Sequence, residues 1–139
     1  MRVFLITGAS SGIGAAVARA VAAPETAIAI HARKNRSGAE KVAHAVDVAG
    51  AQSLIVEGDL AQPGTATRLV EETVARFGHV DAIVSNAGFA DRRPIGEIDR
   101  AGWDASLAAM TSAFLTISLT SARPRSDFRL TVIDRLLAL

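Results

Sequence analysis

Apolar residues first come together at Val3-Phe4-Leu5-Ile6, a continuous run that stops at Thr7-Gly8. An unbroken run of that length predicts a strand of a parallel sheet, buried on both faces. The alanine-rich segment "IGAAVARAVAA" follows and reads as a helix that Pro24 stops. "AIAIHA", residues 27 to 32, is the second strand. Ser37 and Glu40 then have the Ser-x-x-Glu spacing of a capping box, opening a helix that Gly50 ends.

"SLIVEGDL" is the third strand, and Pro63 is placed in the first turn of the next helix. In that helix Ala66, Leu69, Val70, Val74 and Phe77 recur at three and four residues, one apolar face closed by Gly78. "VDAIVSNAG" supplies the fourth strand and its exit. From Asp99 a long helix is expected, with Trp103, Leu107, Met110, Phe114 and Ile117 as a narrow stripe that packs on a sheet or on a second copy, until Pro124 stops it. That makes the helix over residues 103–122 the surface for a homo-oligomer.

Strands alternating with helices of these lengths predict an α/β fold, a Rossmann-like doubly wound parallel sheet, because parallel neighbours need right-handed crossovers. The expected domain covers residues 1–122. Residues 123–139 form an atypical tail in which "RLTVID", residues 129–134, is a fifth strand or frays, leaving the sheet incomplete at its C-terminal end.

With 139 residues, half of them apolar, the chain can bury one core. Fifteen Lys and Arg against 14 Asp and Glu leave no field that draws nucleic acid or a membrane surface, so a small partner is expected. The absence of cysteine excludes disulfides and thiolate metal sites and suits a reducing compartment. Between Met1-Arg2 and Thr7 lie only four apolar residues, too few for a secretory signal or a membrane span, so the expected location is the cytoplasm.

The glycine-rich turn between the first strand and first helix changes the picture most. Free backbone N–H groups and the positive end of a helix dipole there make an anion site. Gly8 allows a tight turn, Gly12 lets backbone approach a pyrophosphate, and Gly14 lets the helix pack close to the strand. The spacing is G-x-x-x-G-x-G, and three glycines alone are also compatible with a plain turn and a packing contact.

Thr7-Gly8-Ala9-Ser10-Ser11-Gly12-Ile13-Gly14 resembles the cofactor loop of the short-chain dehydrogenase/reductase family. Asp59-Leu60 after the third strand, Asn86-Ala87-Gly88 after the fourth, and "GWDASLA" at the head of the long helix fall where that family has such features. The resemblance implies that Ser10, Ser11 and Ile13 line the pyrophosphate, and that Asp59 holds the adenine amino group. It places Asn86, Ala87 and Gly88 beside the nicotinamide ribose. Asp59 as a turn residue and Asn86 as a strand-end cap are the plainer readings.

An NAD site puts a carboxylate about 20 residues beyond the loop, where an NADP site needs cations. The sequence there is "HARKNR", with no acid, and Arg33, Lys34 and Arg36 can close on a 2′-phosphate; a solvated basic loop is the alternative. NADP(H) is therefore expected ahead of NAD(H), and by resemblance the substrate is a small carbonyl or alcohol.

Hydride transfer to a carbonyl needs a proton donor, which the family supplies as a Tyr-x-x-x-Lys pair with a nearby serine and asparagine. This sequence has no tyrosine, and its only lysines are Lys34 and Lys41. The family's asparagine position holds Met110, and Phe114 comes one residue early, a shift that turns the downstream side chains by about 100° around a helix. His31, His44 and His79 are scattered and expected to be ordinary surface or packed histidines. Ser112, Ser118 and Ser121 ride the long helix, and Asp134 falls near the family's serine without replacing an acid and its cation. No catalytic or metal-binding residue is assigned. The expectation is an oxidoreductase of this type truncated before its catalytic pair, weakly active or inactive. The alternatives are a non-catalytic NADP(H)-binding or interaction protein and a truncated remnant.

Overall fold

The computed structural model describes residues 1–88, 93–108, 111 and, as backbone alone, 129–132. Its elements are β1 (Arg2–Ile6), α1 (Gly12–Val21), β2 (Thr26–Ala32), α2 (Arg36–Val48), β3 (Gln52–Glu57), α3 (Thr65–Phe77), β4 (Ala82–Ser85), a 3-10 turn (Ile95–Glu97), α4 (Arg100–Leu107) and β5 (Arg129–Val132). The strands make one parallel sheet in the order β3-β2-β1-β4-β5. β5 pairs with β4 from Arg129 beside Ala82 to Val132 beside Ser85. Residues 133 and 134 of the anticipated fifth strand lie outside the described residues.

All seven residues of β2 are buried, as an unbroken apolar run requires, because helices cover both faces of the sheet. Side chains alternate with period two. Ile6, Ile28 and Ile30 pack with Ala15 and Ala18 of α1 and Val42 and Val46 of α2. Leu5, Ala29 and Ile83 pack on the other side with Ala66, Leu69 and Val70 of α3. Burying a side chain of this size contributes roughly 1.5–3 kcal/mol, so these two layers hold the sheet.

Three local expectations are corrected. Helix α2 is capped by Asn35, whose side chain accepts from the Gly38 N–H at 3.1 Å. Ser37 is already helical, and Glu40 pairs with Arg36 at 3.0 Å instead of completing a capping box. The helix begins two residues earlier than a Ser37 cap requires, so Asn35 meets the orphan N–H three residues on. Pro63 precedes α3, which starts at Thr65 after Gly64 in the left-handed region (φ 80°). Val74 is 40% exposed, while Thr73 is fully buried with its hydroxyl bonded to the Leu69 carbonyl at 2.7 Å. Helix α4 opens at Asp99 as anticipated, its carboxylate accepting from the Gly102 N–H at 2.8 Å. Trp103 and Leu107 on it are 58% and 40% exposed; Met110, Phe114 and Ile117 lie outside the described residues.

After β1 the chain steps outward through β2 to β3, then returns across to β4 on the other flank of β1. That reversal opens a crevice above the carboxyl ends of β1 and β4, the usual ligand position in such sheets.

Candidate functional site

The floor of this crevice is a lock between the exits of β1 and β4. Thr7 is fully buried, and its hydroxyl accepts from the backbone N–H of Asn86 and of Ala87, both at 2.9 Å, while donating to the Val84 carbonyl at 3.3 Å. The Asn86 amide donates in return to the Thr7 and Gly8 carbonyls at 3.1 and 3.2 Å. Asn86 Oδ1 is buried beside the cleft with no partner among the described residues.

The glycines are needed for close approach. Gly8 has φ 64°, and a Cβ there would lie 2.9 Å from the Cα of Ala87. A Cβ on Gly14 would fall 2.5 Å from both Asn86 Nδ2 and the Gly8 carbonyl, so Gly14 lets α1 dock against the loop and the β4 exit. Ser11 is the N-cap of α1 in extended conformation, and its side chain makes no cap bond. No acidic residue occupies the first turn of α1, which leaves its N–H groups and dipole directed at the crevice.

At the end of β2, His31 is 2% exposed. Its Nδ1 accepts from the Gly8 N–H at 3.1 Å and its Nε2 faces the Gly58 carbonyl at 2.9 Å. Burial holds its pKa below the ordinary imidazole value. No residue pattern singles His31 out, since both partners are backbone atoms 23 and 27 positions away. Its one signal is position, at the end of a strand leading into the basic segment.

A cleft of about 320 Å³ collects most of the anticipated residues. Gly8, Ser10 and Ser11 line it from the loop, and Arg33 and Lys34 from beyond β2. Asp59 and Leu60 line it from the β3 exit, and Asn86, Ala87 and Gly88 from the β4 exit. Thr7, Gly12, Ile13 and Gly14 are not in its lining: Thr7 lies beneath it, and Ile13 is 44% exposed.

Arg36 departs from expectation. Its guanidinium is held by Glu57 at 2.5 Å and Glu40 at 3.0 Å and does not line the cleft. Those carboxylates, Glu57 first, raise its pKa. Arg33 and Lys34 are exposed and have no ion pair among the described residues. Asn35 joins the cleft wall, its side-chain N–H reaching the Ser10 carbonyl at 3.4 Å. Asp59 does take a turn role, accepting from the Ala61 N–H at 3.0 Å.

The remaining histidines stay away from the cleft. His44 is exposed on α2. His79 bonds Asp81 at 3.0 Å, and Asp81 accepts from the Val3 N–H at 2.7 Å. This pair sits at the opposite end of the sheet from the cleft. Among the described residues no cluster of His, Asp and Glu could hold a metal, and no helix is long and apolar enough to cross a membrane. Ser112, Ser118, Ser121 and Asp134 lie outside the described residues.

Comparison with known proteins gives the geometry its context. The sequence profile of the short chain dehydrogenases matches residues 2–124. A cis-4-hydroxycyclohexanecarboxylate dehydrogenase of Sinomonas cyclohexanicum is 40% identical over 103 residues, 73% of this chain and 41% of that protein. An uncharacterized oxidoreductase of Methylorubrum extorquens is 37% identical over 97 residues, 70% of this chain and 39% of its own length. The crystal structure of a short chain dehydrogenase from Burkholderia cenocepacia in complex with NADP superposes with a TM-score of 0.88 at 28% identity, over 94% of this chain and 54% of that one. The chain thus spans between about two fifths and about half of the length of these proteins.

Proposed function

The chain belongs to the short-chain dehydrogenase family, and from that premise we propose that these residues bind a nicotinamide dinucleotide, NADP(H) ahead of NAD(H). The cleft's donor set fits such a group: uncapped N–H groups at the start of α1 suit a diphosphate, and two cations without ion pairs among the described residues suit a further phosphate. Ser10, Ser11, Gly12 and Ile13 would hold the pyrophosphate through backbone and hydroxyl donors. Arg33 and Lys34 would hold the 2′-phosphate, and Asn35, at the same wall, would orient the loop beneath it. Asp59 and Leu60 would border the adenine, and Asn86, Ala87 and Gly88 the nicotinamide ribose.

When bound, the nicotinamide ring supplies or accepts hydride. Catalysis also needs an acid at the substrate oxygen. These 139 residues contain no tyrosine, and both lysines lie at or before position 41. We therefore read this chain as a dinucleotide binder in which turnover of a small alcohol or carbonyl is weak or absent. One observation carries the cofactor reading: cations at the β2 exit face the same cleft as an α1 N-terminus with no side-chain cap.

Titration with NADPH and NADH tests it, through calorimetry and through melting temperature, since a ligand bound to the native state alone raises stability. Tighter NADPH binding, with the preference lost in Arg33→Asp, supports the reading. Equal affinities, or a preference untouched by that substitution, count against the NADP(H) assignment. Substrate-dependent NADPH oxidation that survives rigorous purification would contradict the weak-turnover reading.

A further inference from the structure

Two hydrogen bonds of opposite sense meet at one buried ring. The Gly8 N–H can only donate, so Nδ1 of His31 must be the accepting nitrogen, and Nε2 must carry the proton given to the Gly58 carbonyl. The imidazole is thereby fixed as the neutral Nε2–H tautomer, joining the exit of β1 to the exit of β3 directly beneath the cleft.

We propose that His31 is a positioning residue for the dinucleotide: its unprotonated Nδ1 holds the Gly8 amide and so sets the glycine loop, and a proton on Nδ1 releases it. This rests on the cofactor reading above and extends it to the control of that same site. The consequence is cofactor affinity that falls in acid. A protonated ring would present N–H to N–H at Gly8, leaving two buried donors opposed. The Gly8 carbonyl stays held by Asn86, so what the proton frees is the amide end of the turn.

The charged groups facing the ring are few. Arg68 of α3 opposes its protonation, and Asp59 of the β3 exit favours it. Arg33 and Lys34 line the same cleft from the ring's own segment. Desolvation is the largest influence and also keeps the ring neutral, so the amide is released only below the ordinary imidazole value.

The test combines a binding profile with a spectrum of the unliganded protein. NADP+ affinity is measured from pH 8 to pH 5 for the wild-type chain and for His31→Gln, whose amide bonds but does not titrate. The ligand's own ionisation is common to both proteins. The wild type is expected to lose about tenfold more affinity over this range than the variant, the equivalent of one lost hydrogen bond. In parallel, long-range 1H–15N spectra report the tautomer, and the Gly8 amide resonance is followed with pH in the wild type. The inference requires the Nε2–H form and a Gly8 shift that titrates together with the ring. An Nδ1–H tautomer, a Gly8 resonance indifferent to ring titration, or parallel affinity profiles would overturn it. The spectra decide the matter even where His31→Gln fails to fold. NADP+ binding absent at every pH, with the tautomer as expected, would instead overturn the cofactor reading and this inference with it.

Discussion

The hydroxyl of Thr7 accepts the backbone N–H of Asn86 at 2.9 Å, and the Asn86 side chain donates back to the Thr7 carbonyl at 3.1 Å. This reciprocal pair crosses 79 positions of sequence and fixes the spacing of the two strand exits between which a ligand would lie.

Thr7→Val keeps the shape of the side chain and removes the acceptor, leaving the Asn86 and Ala87 N–H groups buried without partners. Unfolding in urea is expected to show a loss of about 2–3 kcal/mol, with Thr7→Ser recovering most of it. A loss under about 0.5 kcal/mol would mean that the lock does not support the fold.

Gly38 sits in the first turn of α2, where a Cβ would overlap the Ser10 carbonyl and the Asn35 side chain. Gly38→Ala should therefore disturb the loop from outside the cleft, at a cost of about 1–3 kcal/mol and with weaker dinucleotide binding. A variant as stable and as tightly binding as the wild type would show that α2 and the loop move independently.

Among the described residues Arg33 and Lys34 make no ion pair, whereas Arg36 makes two. Arg33→Ala is expected to weaken NADPH about tenfold or more and to leave NADH nearly unchanged, since it removes a charge-assisted bond that only the 2′-phosphate can accept. Arg36→Ala should leave the preference in place, its guanidinium being held by Glu57 and Glu40. The reverse ranking, by competitive titration, would exchange their roles.

Arg93, at 3.0 Å, and the Gly102 N–H, at 2.8 Å, together hold the Asp99 carboxyl down to about 2 from its usual 3.8. Because the folded value is the lower one, the help that Asp99 gives to α4 is complete above the unfolded value and is lost as pH falls towards 2. The Gly102 amide resonance is expected to titrate near the folded value, and a midpoint at the unfolded one would show the cap to be unformed.

Much of this was legible in sequence because it depended on neighbours in the chain. Apolar runs such as Val3 to Ile6 announced buried strands, the stripe through Leu69 and Phe77 announced α3, and the glycine loop stood directly between strand and helix. What escaped depended on partners brought from afar. His31 looked ordinary because a histidine bonded to two peptide groups carries no residue pattern. Arg36 read as a phosphate ligand because Glu57, which captures it, is 21 positions away. Asn35 became the cap because the helix begins at Arg36, which puts the Gly38 N–H three residues on from Asn35 and leaves Ser37 inside the first turn.

The proposed cofactor site depends on the first turn of α1 gripping a diphosphate. A crystal structure of this chain grown with NADPH tests it most directly. Pyrophosphate oxygens are expected within about 3 Å of the backbone N–H groups of residues 11–13, with the 2′-phosphate against Arg33. A dinucleotide bound elsewhere, or that turn closed off with the coenzyme at saturation, would contradict it.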